Sequence, residues 1–569
     1  MKPQPAPPKP HSEIETVRLI WLAIFISVFS FLYYNRLGDL LLYGDAVAHI
    51  NIARRTFDSR TPGILQLGTV WLPLPHLLIL PFILSKQMWQ SGTGGSVPSM
   101  AGFVFGVLGI FRLVRAVLPP GGQEGGKSDL AMLVAPWLAA ILYAANPNLI
   151  YMQSIAMGES LYLAFFIWAV VYLAEFVRRG SSASRALIKC GLCLAAACWT
   201  RYDGWFLAGV LTIAAAVALF RFKTRDNEGP TSEKAAPWPL FAKFVLIAFS
   251  APALWLAYNA AVYRNPLEFA NGPYSAKAIE QKTATLNPAK GNLWAASSYF
   301  LKATELNLGE SNWQQRLWLL LALVGSLAAA FRRRGRIALL LWTPLPFYAF
   351  SIAYGSIPIF VPTWWPFSVY NVRYGLQLLP AFVVFAPQGI SVILHSSVVQ
   401  SAAKVARPAT DWRRWTAIAT VASVLALGAV SDPAIWRAGP ICYREAQVNS
   451  RGRFVLDAQV AGWIKSLPPD STLLVYLAEH VGALEQAGIP LRRTINEGNR
   501  RAWRQPVDPE GLWDRALADP SAYADYAIGF EGDPVWKSAR DRHLLALVEI
   551  HTTGQPSAAI FQTRMPTRR

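Results

Sequence analysis

The sequence predicts an α-helical polytopic membrane protein of about eleven spans, followed by a small C-terminal extracytoplasmic α/β domain. Three observations carry this. The 569 residues are 53% hydrophobic and only 15% charged, where soluble domains average about a quarter charged. Apolar runs long enough to cross a bilayer recur as far as residue 431, and the arginines and lysines collect in alternate connections between them. Beyond 432 the pattern turns polar, with short strand-like and helix-like runs in alternation.

A crossing helix takes roughly 20 mostly apolar residues. Runs that qualify are 17–34, 97–118, 130–150, 159–177, 186–202, 204–221, 238–262, 315–331, 337–357, 374–396 and 412–431. With the N-terminus inside, the inner connections hold Arg112, Arg115 and Lys127, then Arg178, Arg179 and Arg185, then Arg221, Lys223 and Arg225. Arg332–Arg334 with Arg336, and Lys404, Arg407, Arg413 and Arg414, complete the series. This is the bias that sets orientation in membranes, and it accounts for the net charge of +19 and pI near 9.8 without a nucleic-acid partner. The stretch 70–89 is apolar too, but counting it as a span would put the later arginines outside, and Pro73, Pro75 and Pro81 oppose a straight helix. It is therefore read as lying at the outer interface.

Three units follow: a Pro-rich, disordered cytoplasmic tail (1–14), a membrane domain (15–431) whose first outer loop is 35–96, and the outer α/β domain (432–569). In the last, "TLLVY", "YADYAIGF", "LALVEIH" and "AAIFQT" read as strands, and 453–466, 509–518 and 533–543 as helices. Cys190, Cys193 and Cys198 share one apolar run and read as small core residues, and Cys442 stands apart, so no disulfide framework is expected.

The chemistry-bearing residues sit at span ends on one side. "LLYGDAVAHINIARR" follows the first span. As a helix over 45–58 it turns Ala46, Ile50, Ala53 and Phe57 to one face and Asp45 and His49 to another, as suits a membrane surface. A helix cap is the plain alternative for Asp45, and an interfacial polar contact for His49. Glu159 in "MGESLYLAF" opens a span from the same side, where a first-turn carboxylate also suits the helix dipole. Arg201 and Asp203 in "CWTRYDGWF" either face a ligand or pair within a turn. Tyr274 and Lys277 lie in a Pro- and Gly-broken outer loop. Arg373 in "SVYNVRYGLQLLP" stands outside against the charge bias, where it meets phosphate or a carboxylate, or packs with Tyr370 and Tyr374.

In their order and common side, "YGDAVAHINIARR", "MGESLYLAFF", "WTRYDGWFLAG" and "NVRYGLQLLP" resemble the GT-C superfamily of integral-membrane glycosyltransferases. The nearest likeness is to glycosyltransferase family 39, which takes in protein mannosyltransferases and lipid A aminoarabinose transferases. The resemblance covers roughly residues 15–430. It implies transfer of a sugar from a polyprenyl-phosphate donor to an extracytoplasmic acceptor (protein, lipid or glycan) in the cell membrane. It implies Asp45 as catalytic acid of the first outer loop and Glu159 as acid of the second, although that family often shows two adjacent acids where this chain has Gly44-Asp45. The chemistry asks for a carboxylate base at the acceptor hydroxyl and cations at the leaving phosphate, for which Arg201, Lys277 and Arg373 are candidates. His49, Asp203 and Tyr274 join them as substrate-binding candidates. No cofactor is required on this reading, and a divalent metal on Asp45, His49, His76 and Glu159 is the less favoured variant.

A secondary transporter or lipid flippase is the rival class, and it predicts inverted repeats and polar groups near the midplane. The polar residues here lie at span ends, and the span count is odd. A scaffold with an outer binding domain leaves the two acids unexplained.

The topology is testable by cysteine accessibility. Cysteines placed at Gln123 and Asn227 should label only from the cytoplasm, and labelling of both from outside would overturn the orientation.

Overall fold

Apolar side chains on every face of a helix make it a span, since lipid offers the backbone no hydrogen-bond partner. The computed structural model describes residues 10–117, 130–179, 183–226, 237–283, 287–332, 334–396, 412–499 and 511–564. Among them, nine helices are long and apolar enough to cross a membrane: Glu13–Leu37, Thr93–Val117, Glu159–Arg178, Asp203–Phe220, Trp238–Tyr263, Asn312–Phe331, Gly335–Tyr354, Val372–Leu394 and a run over Trp415–Ser466. The chain is a multi-pass membrane protein. Two further expected spans are helical but shorter, Leu130–Ala145 with 16 residues and Ser184–Thr200 with 17. The expected span 130–150 stops early because Pro147 cannot continue it. Asn146 ends it and caps a new helix, Pro147–Gln153, accepting from Leu149 N–H at 2.9 Å and donating to the Asn307 carbonyl at 2.7 Å.

The stretch 70–89 forms no single helix. It breaks into Pro73–Ile79 and Lys86–Gln90, seven and five residues long, neither of which can cross. The first helix begins at Pro10, so residues 10–14 of the expected tail are helical, and 1–9 lie outside the described residues. The basic connections 118–129, 227–236 and 397–411 lie outside them too. Helices Asn312–Phe331 and Leu379–Leu394 approach to backbone contact. A Cβ at Gly325 would stand 2.0 Å from the Phe385 carbonyl oxygen, and one at Gly389 2.1 Å from that of Leu321. Only glycine fits at such a crossing.

The last membrane helix, Trp412–Ala438, runs seven residues beyond its expected end, and Ile441–Ser466 follows almost at once. Beyond lies a sheet of five strands: β1 (Leu473–Val475), β2 (Thr494–Ile495), β3 (Tyr526–Phe530), β4 (Leu545–Ile550) and β5 (Ala558–Gln562). Their order is β2-β1-β3-β5-β4, with β1 parallel to β2 and β3, and β5 antiparallel to β3 and β4. Strands alternate their side chains between faces. Leu473, Val475, Ile528 and Ile560 join the core shared with the membrane helices, while Leu474, Ile495, Ala527 and Phe561 build a second core on the other face. The sheet is thereby packed onto the rest of the chain.

Candidate functional site

Gly44–Arg55 forms a helix directly after the first span. Its cap residue is Tyr43, with no side-chain cap bond, so Asp45 is not the cap. The Asp45 carboxylate turns instead to Arg373, which donates from a terminal nitrogen to Asp45 Oδ2 at 2.6 Å. Asp45 Oδ1 has no hydrogen-bond partner among the described residues, and about a third of the side chain (32%) is open.

Arg373 sits in a 3-10 turn, Val372–Leu378, at the entry to the helix Leu379–Leu394. Its Nε donates to Glu159 Oε1 at 3.3 Å, and its other terminal nitrogen to Tyr43 Oη at 2.6 Å and Glu445 Oε1 at 3.2 Å. Arg201 repeats the pattern, donating to Glu159 Oε1 at 3.0 Å, to Asp203 at 3.2 and 3.3 Å, and to Tyr348 Oη at 2.9 Å. Tyr348 donates in turn to Asp203 Oδ2 at 3.0 Å. The Tyr374 ring lies under both guanidiniums, 4.8 Å from Arg373 and 5.1 Å from Arg201. Glu159 is thus the bridge between two arginines. It is 1% exposed, and its second oxygen has no partner among the described residues.

Asp45, Glu159, Arg201, Asp203 and Arg373, singled out from the sequence, therefore meet in one buried network. Tyr274 and Lys277 are exposed on a separate segment at the edge of the short helix Ala276–Thr283. His49 is buried one helical turn beyond Asp45 and faces His76, ring nitrogens 2.9 Å apart, with Trp71 edge-on at 4.5 Å. Burial pushes His49 down to about 4, and His76 well below the ordinary imidazole value, so both are neutral near pH 7. Among the described residues no group of three or more His, Cys, Asp and Glu side chains could hold a metal ion: the histidines face each other, and Asp45 and Glu159 each give one oxygen to Arg373.

Two partners escaped the sequence reading. Glu445, in the helix Ile441–Ser466, accepts from Arg373, from the Tyr43 hydroxyl, and from the backbone N–H groups of Asn371 and Val372, both at 2.8 Å. Those bonds hold Asn371 in a left-handed conformation, φ 57°, that turns the chain into the Arg373 segment. Glu445 lies in a stretch without any local motif, so no signal in the sequence announces it. Tyr43 had one: an aromatic residue immediately before Gly44-Asp45.

Arg373 and Arg201, the candidates for a phosphate, are both held within the network. Every nitrogen of both guanidiniums already donates to a carboxylate or a tyrosine. Four carboxylates (Asp45, Glu159, Asp203 and Glu445) surround these two cations, leaving the centre net negative.

No family model matches the sequence, and no curated protein sequence matches it. Solved structures do. ArnT from Cupriavidus metallidurans bound to undecaprenyl phosphate aligns over 97% of this chain and 98% of its own, at 14% identity and a TM-score of 0.53. Its apo state aligns over the same shares at a TM-score of 0.55. The chain has the GT-C fold. An oligosaccharyltransferase from Archaeoglobus fulgidus aligns over 90% of this chain and 69% of its own, at 12% identity and a TM-score of 0.45. The GT-C fold gathers its charged network where the first loop, the starts of three helices and the segment after the last membrane helix converge.

Two outcomes follow. Arg373→Ala strips from Asp45 and Glu445 the one cation that pairs with them among the described residues, and should lower stability by about 3–5 kcal/mol, seen as a drop in thermal unfolding temperature, rather than weaken donor binding alone. An unchanged unfolding temperature would contradict the network. The second concerns acid. The unfolded chain takes up a proton at His49 near pH 6.5 and the folded chain only near 4, so the unfolded state binds more protons between them. Stability from this residue is complete above about pH 6.5 and declines as pH falls toward about 4, by about 3 kcal/mol at most. His49→Gln should flatten the dependence of unfolding temperature on pH in that window, and an unaltered slope would refute it.

Proposed function

We propose that the protein is a membrane glycosyltransferase that moves a sugar from a polyprenyl-phosphate donor to an extracytoplasmic acceptor, with Asp45 as general base. The observation that carries this is the state of Asp45. Within a charged network otherwise closed to solvent, it is the acid with an open side chain and a free oxygen. The GT-C fold supports the reading, and so does the undecaprenyl phosphate bound to the ArnT it aligns with.

In the proposed step Asp45 Oδ1 accepts the proton of the acceptor hydroxyl as its oxygen bonds to the anomeric carbon. The bond from that carbon to the phosphate oxygen breaks, and the electron pair leaves with the phosphate. Arg373 orients the base by holding Oδ2, and Glu159 ties Arg373 to Arg201, so both act as positioning residues. The donor sugar is a hexose or a pentose, and the acceptor a protein, lipid or glycan. The step as written draws on no cofactor, and the positive-inside pattern supports a site on the extracytoplasmic face.

Asp45→Asn keeps the size of the side chain and disturbs no cap, because Tyr43 occupies that position. In purified protein of checked thermal stability, transfer from a polyprenyl-phosphate sugar to acceptor should fall about 10²–10⁴-fold. Near-normal turnover would remove Asp45 from the chemistry.

A further inference from the structure

We infer that Arg453 is the residue that receives the donor's phosphate, an assignment that rests on the transferase reading above. The need for such a cation comes from the centre of the site. Negative charge grows on the phosphate oxygen as the sugar leaves, and catalysis requires donors aimed at it. Arg201 and Arg373 are committed to carboxylates and tyrosines, and a phosphate brought between them would meet a net negative cluster.

Arg453 differs in each respect. It lies on the helix Ile441–Ser466, two turns beyond Glu445, and is half-buried. Its guanidinium lies beside Gly44, the residue before Asp45. A Cβ built at Gly44 would stand 3.5 Å from a terminal nitrogen of Arg453 and 3.6 Å from its central carbon. Among the described residues Arg453 makes no ion pair and no hydrogen bond. Its electrostatic neighbour Glu485 is itself buried, bonded by Asn51 at 2.6 Å, with its other oxygen unpartnered. Burial raises the Glu485 carboxyl well above the usual range, which weakens it as a counter-charge to the arginine.

A full positive charge with a planar fork of donors therefore stands at the edge of an acidic site, beside the one open carboxylate. A guanidinium fork suits the bidentate geometry of a phosphate. The acceptor hydroxyl then approaches from the Asp45 side and the phosphate departs toward Arg453, which separates the base from the leaving group.

The test is equilibrium binding of undecaprenyl phosphate to the full-length protein in detergent micelles, with thermal unfolding measured for each variant. Arg453→Gln should weaken binding about tenfold with unfolding temperature unchanged. Arg453→Lys should recover part of the loss. Gly44→Val, which keeps the charge but carries methyl groups beyond a Cβ already in contact with the guanidinium, should reproduce it. Inorganic phosphate should compete with undecaprenyl phosphate in the wild type and do so less in Arg453→Gln. Unchanged affinity in Arg453→Gln, while the wild type binds, overturns the assignment and leaves the transferase reading standing. Equal displacement by phosphatidylglycerol overturns it as well, since the cation would then read any lipid phosphate. No binding of undecaprenyl phosphate by the wild type overturns the transferase reading itself.

Discussion

The charge on Arg373 is the constraint on which the site depends. Its guanidinium is 7% exposed and must find partners inside the protein, because an uncompensated buried cation costs several kcal/mol. It finds them at Asp45, Glu159 and Glu445, positions that lie 328, 214 and 72 residues from it in the chain. Each partner carries an element with it: Asp45 the helix of the first loop, Glu159 the start of a span, Glu445 the helix after the last membrane segment. Satisfying one side chain therefore fixes how three remote pieces meet.

That arrangement divides the acids by exposure. Glu159, Asp203 and Glu445 are sealed in by arginine, tyrosine and backbone N–H groups, where exchange with a substrate would leave a buried charge unpaired. Asp45 alone gives one oxygen to the network and keeps the other open. The same Arg373 bond that positions it also keeps it from swinging away, so its open oxygen is held in a fixed place.

The C-terminal segment contributes more than a lid. Glu445 sits in the network itself, and the first loop is fastened to the sheet region at several points: Arg60 donates to the Thr494 carbonyl at 3.1 Å, Gln66 to that of Gly498 at 3.1 Å, and Asn51 to Glu485 at 2.6 Å. The helix carrying Asp45 thus has two anchors, Arg373 on its membrane side and the C-terminal region on the other. Motion of that region would be felt at Asp45 through a single helix of 12 residues.

Much of this molecule is legible in the sequence because its cause is local. A span is decided by its own twenty or so residues, and strands such as β3 and β5 by short apolar runs of their own. Orientation shows in the arginines of single loops, and the candidate acids stand out because charge is rare in so apolar a chain. Local rules also mark the breaks: Asn146-Pro147 ends a helix inside an apolar run that by hydropathy continues to residue 150. What only the tertiary structure decided is who pairs with whom. The sequence holds Asp45, Glu159, Arg201, Asp203 and Arg373 as separate candidates, with no sign that Arg373 joins two acids or that Arg201 shares one of them. Glu445 and Arg453 are ordinary residues of a polar helix until the chain folds back against Gly44. Pairing of buried charges is a property of positions in space, set by desolvation in the assembled core, and no window along the chain contains it.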